Sequence, residues 1–143
     1  MSAHIADCVL MQDRDSFSLP VWKTTAHLAV IDEAEKTLTF RLPPNAVLDE
    51  PSIIAFVANP SATTERIEYE IEINGNVFAM GDFGSDVRRG LWKVVGGGVL
   101  RAGDSNNITF KTLEVEGPAH GGQPTVKFSD IVLWFQRAVA EAS

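Results

Sequence analysis

Residues 92–135 decide the fold. They read Trp92-Lys-Val-Val-Gly-Gly-Gly-Val-Leu-Arg-Ala-Gly-Asp-Ser-Asn-Asn-Ile-Thr-Phe110, then a polar stretch, then Val126-Lys-Phe-Ser-Asp-Ile-Val-Leu-Trp-Phe135. Apolar runs are separated by a tight turn at 102–107 and a longer loop at 117–124. Short apolar runs bounded by Gly, Asp, Asn and Pro read as successive β-strands. Side chains alternate across a strand, so Ile131, Leu133 and Phe135 share one face while Val132 and Trp134 take the other. A strand apolar on both faces closes a core on one side and leaves an apolar strip on the other.

The same grammar runs outward through the chain. Residues 66–73 alternate cleanly, with Ile67, Tyr69, Ile71 and Ile73 on one side and Arg66, Glu68, Glu70 and Glu72 on the other. Asn74-Gly75 follows, a pair that tolerates positive φ at both centres of a two-residue hairpin turn. The acidic row reads as a solvated face that repels a lateral neighbour. Residues 24–31 and 36–42 form a second alternating pair, with Leu38, Phe40 and Leu42 predicted inward. Residues 52–58 are apolar on both faces, as in a strand covered on both sides or facing a partner chain. Residues 6–11 make a short first strand, and Pro20 places any neighbouring strand at an edge. The triple glycine 96–98 reads as a bulge or kink. Eight to ten short strands and no helical periodicity predict an all-β protein, an antiparallel β-sandwich. With 143 residues, residues 1–143 are read as a single sandwich domain.

Composition narrows the function classes. The formal net charge is −7, and Arg88-Arg89 is the only basic doublet. A phosphate backbone or an anionic lipid surface needs clustered Lys and Arg, so neither nucleic acid nor membrane is expected as a partner. No apolar run approaches the roughly eighteen residues of a membrane-spanning helix. The N-terminus lacks a basic, then apolar, leader pattern, which leaves a cytoplasmic location or export by a non-classical route. One cysteine, Cys8, forbids an internal disulfide. Between Asp7 and the apolar Val9 and Leu10 it reads as a packed small hydrophobe.

From Tyr69 onward the order of features resembles a galactose-binding-like jelly roll, the fold of many carbohydrate-binding modules. The matching stretches are Ile71-Glu72-Ile73-Asn74-Gly75 with its return strand, Trp92-Lys93-Val94-Val95, and Val99-Leu100-Arg101-Ala102-Gly103-Asp104-Ser105-Asn106-Asn107-Ile108-Thr109-Phe110. That family carries a leucine, glycine, asparagine, isoleucine turn into a strand, and here Ser105 and Asn106 stand as two extra residues within it. The closing Phe128-Ser129-Asp130-Ile131-Val132-Leu133 is similar to the fold's last strand. The resemblance implies a jelly roll and a carbohydrate ligand.

Candidate binding residues lie in polar loops and exposed aromatics. Trp22, Trp92 and Trp134 offer flat rings that can stack on a sugar or pack in a core or interface. The loop 82–89 mixes donors, acceptors and an aromatic, as a polyol site requires. It supplies Asp82, Phe83, Asp86, Arg88 and Arg89, next to Trp92; its alternative is a solvated connection with an internal Asp86–Arg88 or Asp86–Arg89 pair. His120, in a second long loop, completes the set. A structural Ca²⁺ stays open through the scattered donors Asp13, Asp15, Asp32, Glu33 and Asp130, but without a calcium-loop motif no cofactor is expected. No pair of carboxylates and no Ser/His/Asp pattern points to catalysis. Two readings follow: a non-catalytic carbohydrate-binding module, and a structural or assembly protein that associates through apolar sheet faces. Both expect a homo-oligomer.

Overall fold

The computed structural model describes residues 2–12, 17–20, 34–60, 66–84, 89–112 and 125–140. They form two antiparallel sheets and, among the described residues, no helix. The strands are β1 (Ser2–Gln12), β2 (Phe17–Pro20), β3 (Ala34–Arg41), β4 (Ala46–Val47), β5 (Ser52–Pro60), β6 (Arg66–Ile73), β7 (Asn76–Gly84), β8 (Arg89–Val95), β9 (Ser105–Thr112) and β10 (Thr125–Ala140). One sheet runs β1-β10-β5-β8, with β2 and β4 also on β10; the other runs β3-β9-β6-β7. This is the antiparallel sandwich that the strand pattern predicts, in the jelly-roll class that the resemblance implies.

The spine of the larger sheet is β10. Along one edge it pairs β1 and then β2, and along the other β4 and then β5. Its sixteen residues outrun the expected 126–135, and the extension pairs with β1, Ala138 opposite His4 and Ala140 opposite Ser2. Pro20 does lie in an edge segment, since β2 pairs β10 alone.

Asp130 keeps this long strand in phase. Val126 and Phe128 are buried, and so are Ile131, Leu133 and Phe135, so the inward parity switches from even to odd numbers. The switch is a bulge: Ser129 faces Val57 and Val132 faces Ala55, one residue more on β10 than on β5. Asp130 takes φ 52 there, a left-handed conformation that Asp tolerates better than most side chains.

The core fills the space between the sheets. Ile54, Phe56, Ala58, Val126, Phe128, Ile131, Leu133 and Phe135 face Phe40, Tyr69, Ile71, Ile73, Ile108 and Phe110. Phe56 sits at the centre, edge-on to Phe110 at 5.5 Å between ring centroids and tilted against Phe128 at 6.1 Å. Gly81 lets Tyr69 pack flat against β7, because a Cβ there would lie 2.8 Å from the phenol oxygen.

Asn74 and Gly75 make the predicted hairpin turn, at φ 50 and 81. Asn74 also reaches across the sandwich end: its Nδ2 donates to Val99 O and to Asn106 Oδ1, both at 2.9 Å, and its Oδ1 accepts from Asn107 N. Asn106 is fully buried and fully satisfied. Its Oδ1 also accepts from Arg101 N at 2.8 Å, and its Nδ2 donates to Arg101 O and Asp104 O. Asn106 is the pin of the turn, placed inward because Ile108 and Phe110 fix the parity of β9.

Three further expectations change. Cys8 is exposed rather than packed, because register sets it opposite Trp134 on the outer face. Glycines 96–98 and the following Val99-Leu100 belong to the connection after β8, not to a kinked strand, and Gly98 takes φ 85. The acidic row is not left to repel: Lys111 Nζ stands 3.1 Å from Glu72, 3.8 Å from Glu35 and 3.9 Å from Glu70. Between β3 and β5 lies the two-residue β4. The predicted strand 24–31 lies outside the described residues.

Candidate functional site

Strand direction brings the C-terminal ends of β7 and β9 and the N-terminal ends of β8 and β10 to one end of the sandwich. In the larger sheet Thr125 pairs with Pro20, Val126 with Pro60, and Ala58 with Arg89. In the smaller sheet Ala34 and Tyr69 pair with Thr112, and Arg66 with Gly84. Gly84 and Arg89 are joined by four residues, 85–88, that pass from one sheet to the other. The strand ends bordering 85–88 and 113–124 therefore share this end.

The individual residues are distributed as follows. Asp82 and Phe83 lie on β7, opposite Glu68 and Ile67. Arg89 opens β8, opposite Ala58, and Trp92 follows on the same strand, opposite Ala55. Trp92 is 67% exposed, so it is not a core residue. Asp86, Arg88 and His120 lie outside the described residues, as does Trp22.

Trp92 has company that no single stretch of sequence reveals. Register across the larger sheet aligns Cys8, Trp134, Ile53 and Val94 in one row, and Val132, Ala55 and Trp92 in the next. The third row is Ser129, Val57 and Gly90, and the fourth Lys127 and Asn59. All of these point away from the core. Ile53, Val94 and Trp134 are exposed, Trp134 at 48%. The outer face of the larger sheet thus grades from an apolar floor to a polar rim at the loop end. The opposite outer face, around Lys111, Glu70 and Glu72, is charged.

Inward Lys93, opposite Ile54, places a charge on the edge strand β8, a common guard against edge-to-edge pairing. Among the described residues no three His, Cys, Asp or Glu side chains gather into a cation site. Asp130 is exposed on its bulge, and Asp13, Asp15, Asp32 and Glu33 lie outside the described residues.

No family model matches the chain, and no curated protein matches it. Solved structures do. A dimeric latent PorU from Porphyromonas gingivalis superposes with a TM-score of 0.60 at 13% identity over 94% of this chain. The chain spans only 13% of that protein's length. A family 35 carbohydrate-binding module from an environmental isolate superposes with a TM-score of 0.50 at 14% identity, covering 93% of both chains. A family 36 module in complex with calcium and xylotriose follows at a TM-score of 0.42 and 11% identity. At such identities the likeness is one of fold: the chain resembles carbohydrate-binding jelly rolls along nearly its whole length.

Proposed function

We propose that this chain is a carbohydrate-binding domain without catalytic activity of its own. The observation that carries the reading is Trp92: an indole two-thirds exposed on the β8 strand, beside the sandwich end where the polar loops begin. An indole held out of the core at an energetic disadvantage of burial forgone is the group that stacks on the apolar face of a pyranose. In this reading Asp82, Asp86, Arg88 and Arg89 bind sugar hydroxyls in pairs, Phe83 and Trp92 supply stacking, and His120 adds a contact from the neighbouring loop. The fold shared with family 35 modules supports the assignment at the level of architecture.

The test is a broad glycan array probed with the purified protein, with calcium and then with chelator. Selective binding that disappears in Asp86→Ala or Trp92→Ala supports the reading, and chelator sensitivity adds an ion to it. A second reading, assembly of identical copies, is favoured by the exposed apolar rows around Ile53 and Val94. A blank array together with a discrete oligomer by light scattering would replace the first reading with the second.

A further inference from the structure

We propose that the outer face of the larger sheet is a flat glycan platform, on which a linear polysaccharide lies diagonally across Trp134, Ile53, Ala55 and Trp92. The inference rests on the carbohydrate-binding reading and names the kind of carbohydrate: an extended chain with broad apolar hexose faces, such as occurs at the surface of an insoluble polysaccharide. Trp134 and Trp92 stand two strands and two residues apart, which by strand spacing and rise puts their Cα atoms about 12 Å from each other. Between them lie Ile53, Ala55 and Val132, which keep the floor low and aliphatic. Beyond Trp92, Gly90 leaves open space, since a Cβ there would meet nothing within 4 Å. The strip then ends on the exposed Asn59 and Lys127 and on Ser129, donors suited to hydroxyl groups.

Charge favours this occupant over a second copy of the chain. The apolar rows carry no formal charge, whereas each whole chain carries −7. Two copies pressed face to face bring like net charges together, while a neutral polysaccharide meets no such opposition. Stacking on rings also needs no deep pocket, which matches a face built on the flat side of a sheet.

The experiment is a sedimentation assay of the whole chain with powdered cellulose, chitin and mannan, alongside the soluble hexasaccharides of the same polymers. Trp134→Ala, Ile53→Arg and Asp86→Ala are compared with the wild type, with melting temperatures as the check on folding. Both platform substitutions are at exposed positions, and Ile53→Arg raises a charged side chain from the floor without removing a ring. The expected result is retention of at least one powder by the wild type, weakened about tenfold or more by Trp134→Ala, as loss of one stacked ring's buried area implies, and weakened likewise by Ile53→Arg, whose raised side chain holds the polysaccharide off both rings. Unchanged retention in both variants, with loss only in Asp86→Ala, overturns the platform and leaves the carbohydrate reading standing. No binding of any powder or hexasaccharide by the wild type overturns both. A wild-type oligomer that Ile53→Arg dissociates, without glycan binding, assigns the face to a second copy instead.

Discussion

Replacing Asn106 by Ala tests how the turn into β9 is held. The wild-type side chain is fully buried and makes four hydrogen bonds, to Arg101 N, Arg101 O, Asp104 O and Asn74 Nδ2. At a net contribution of about 1 kcal/mol each, the four sum to about 4 kcal/mol. Arg101 and Asp104 are exposed residues, so their freed carbonyls can turn to water and recover about 1 kcal/mol. Asn74 Nδ2 keeps its bond to Val99 O. The net cost is about 3 kcal/mol, which for a chain of this size lowers the melting temperature by about 10 °C. Its sequence neighbour is the control. Asn107 is exposed and loses only the bond accepted from Thr39 Oγ1 at 2.9 Å, so Asn107→Ala costs about 0.5 kcal/mol. Thermal and urea unfolding followed by circular dichroism measure both. Equal costs for the two substitutions would refute the account of Asn106 as the pin.

Other consequences follow from single positions. Asp130→Val forces a β-branched residue into the left-handed bulge and costs about 1–2 kcal/mol, whereas Asp130→Gly stays within about 1 kcal/mol of wild type; urea midpoints separate the two. Gly81→Ala pushes a methyl group against the buried Tyr69 ring and costs about 1–3 kcal/mol, visible as a lowered melting temperature. Lys111→Ala leaves Glu35, Glu70 and Glu72 facing one another and costs about 1 kcal/mol, a loss that shrinks in high salt as the carboxylates are screened. Unfolding in low and high salt checks the last.

Much of the fold was legible wherever a signal was local. The alternation of 66–73 and the Asn74-Gly75 turn needed only period and positive φ, and both hold. The parity of Ile131, Leu133 and Phe135 was equally plain. The role of Asn106 as the buried pin went unread because two adjacent asparagines look alike, although counting back from Ile108 and Phe110 by twos places it inward. Cys8 failed for a related reason: on β1, whose outer face is open, apolar neighbours do not imply burial. The glycine triplet gave no way to tell a kink from a turn.

The candidate site was legible in part. Trp92 could be singled out from its type as a ring that stacks on a ligand or packs in a core or interface, and the structure places it out of the core. That it shares a surface with Trp134, Ile53 and Val94 depends on the pairing of β10, β5 and β8, whose members are about forty residues apart or more in sequence along β5 and β8 and farther along β10. Such register is a property of the assembled sheet, invisible in any one strand. Asp82 and Phe83 fall on strand β7, and Arg89 on β8, rather than in a loop.

The most direct measurement is acrylamide quenching of tryptophan fluorescence, with and without glycan. Trp92 and Trp134 are both open to solvent, so a sugar chain stacked on them must shield them from the quencher. The account predicts a lower quenching constant and a blue-shifted emission with a binding glycan, and a smaller change in Trp92→Ala. Unaltered quenching with every glycan tested, soluble or particulate, would contradict it.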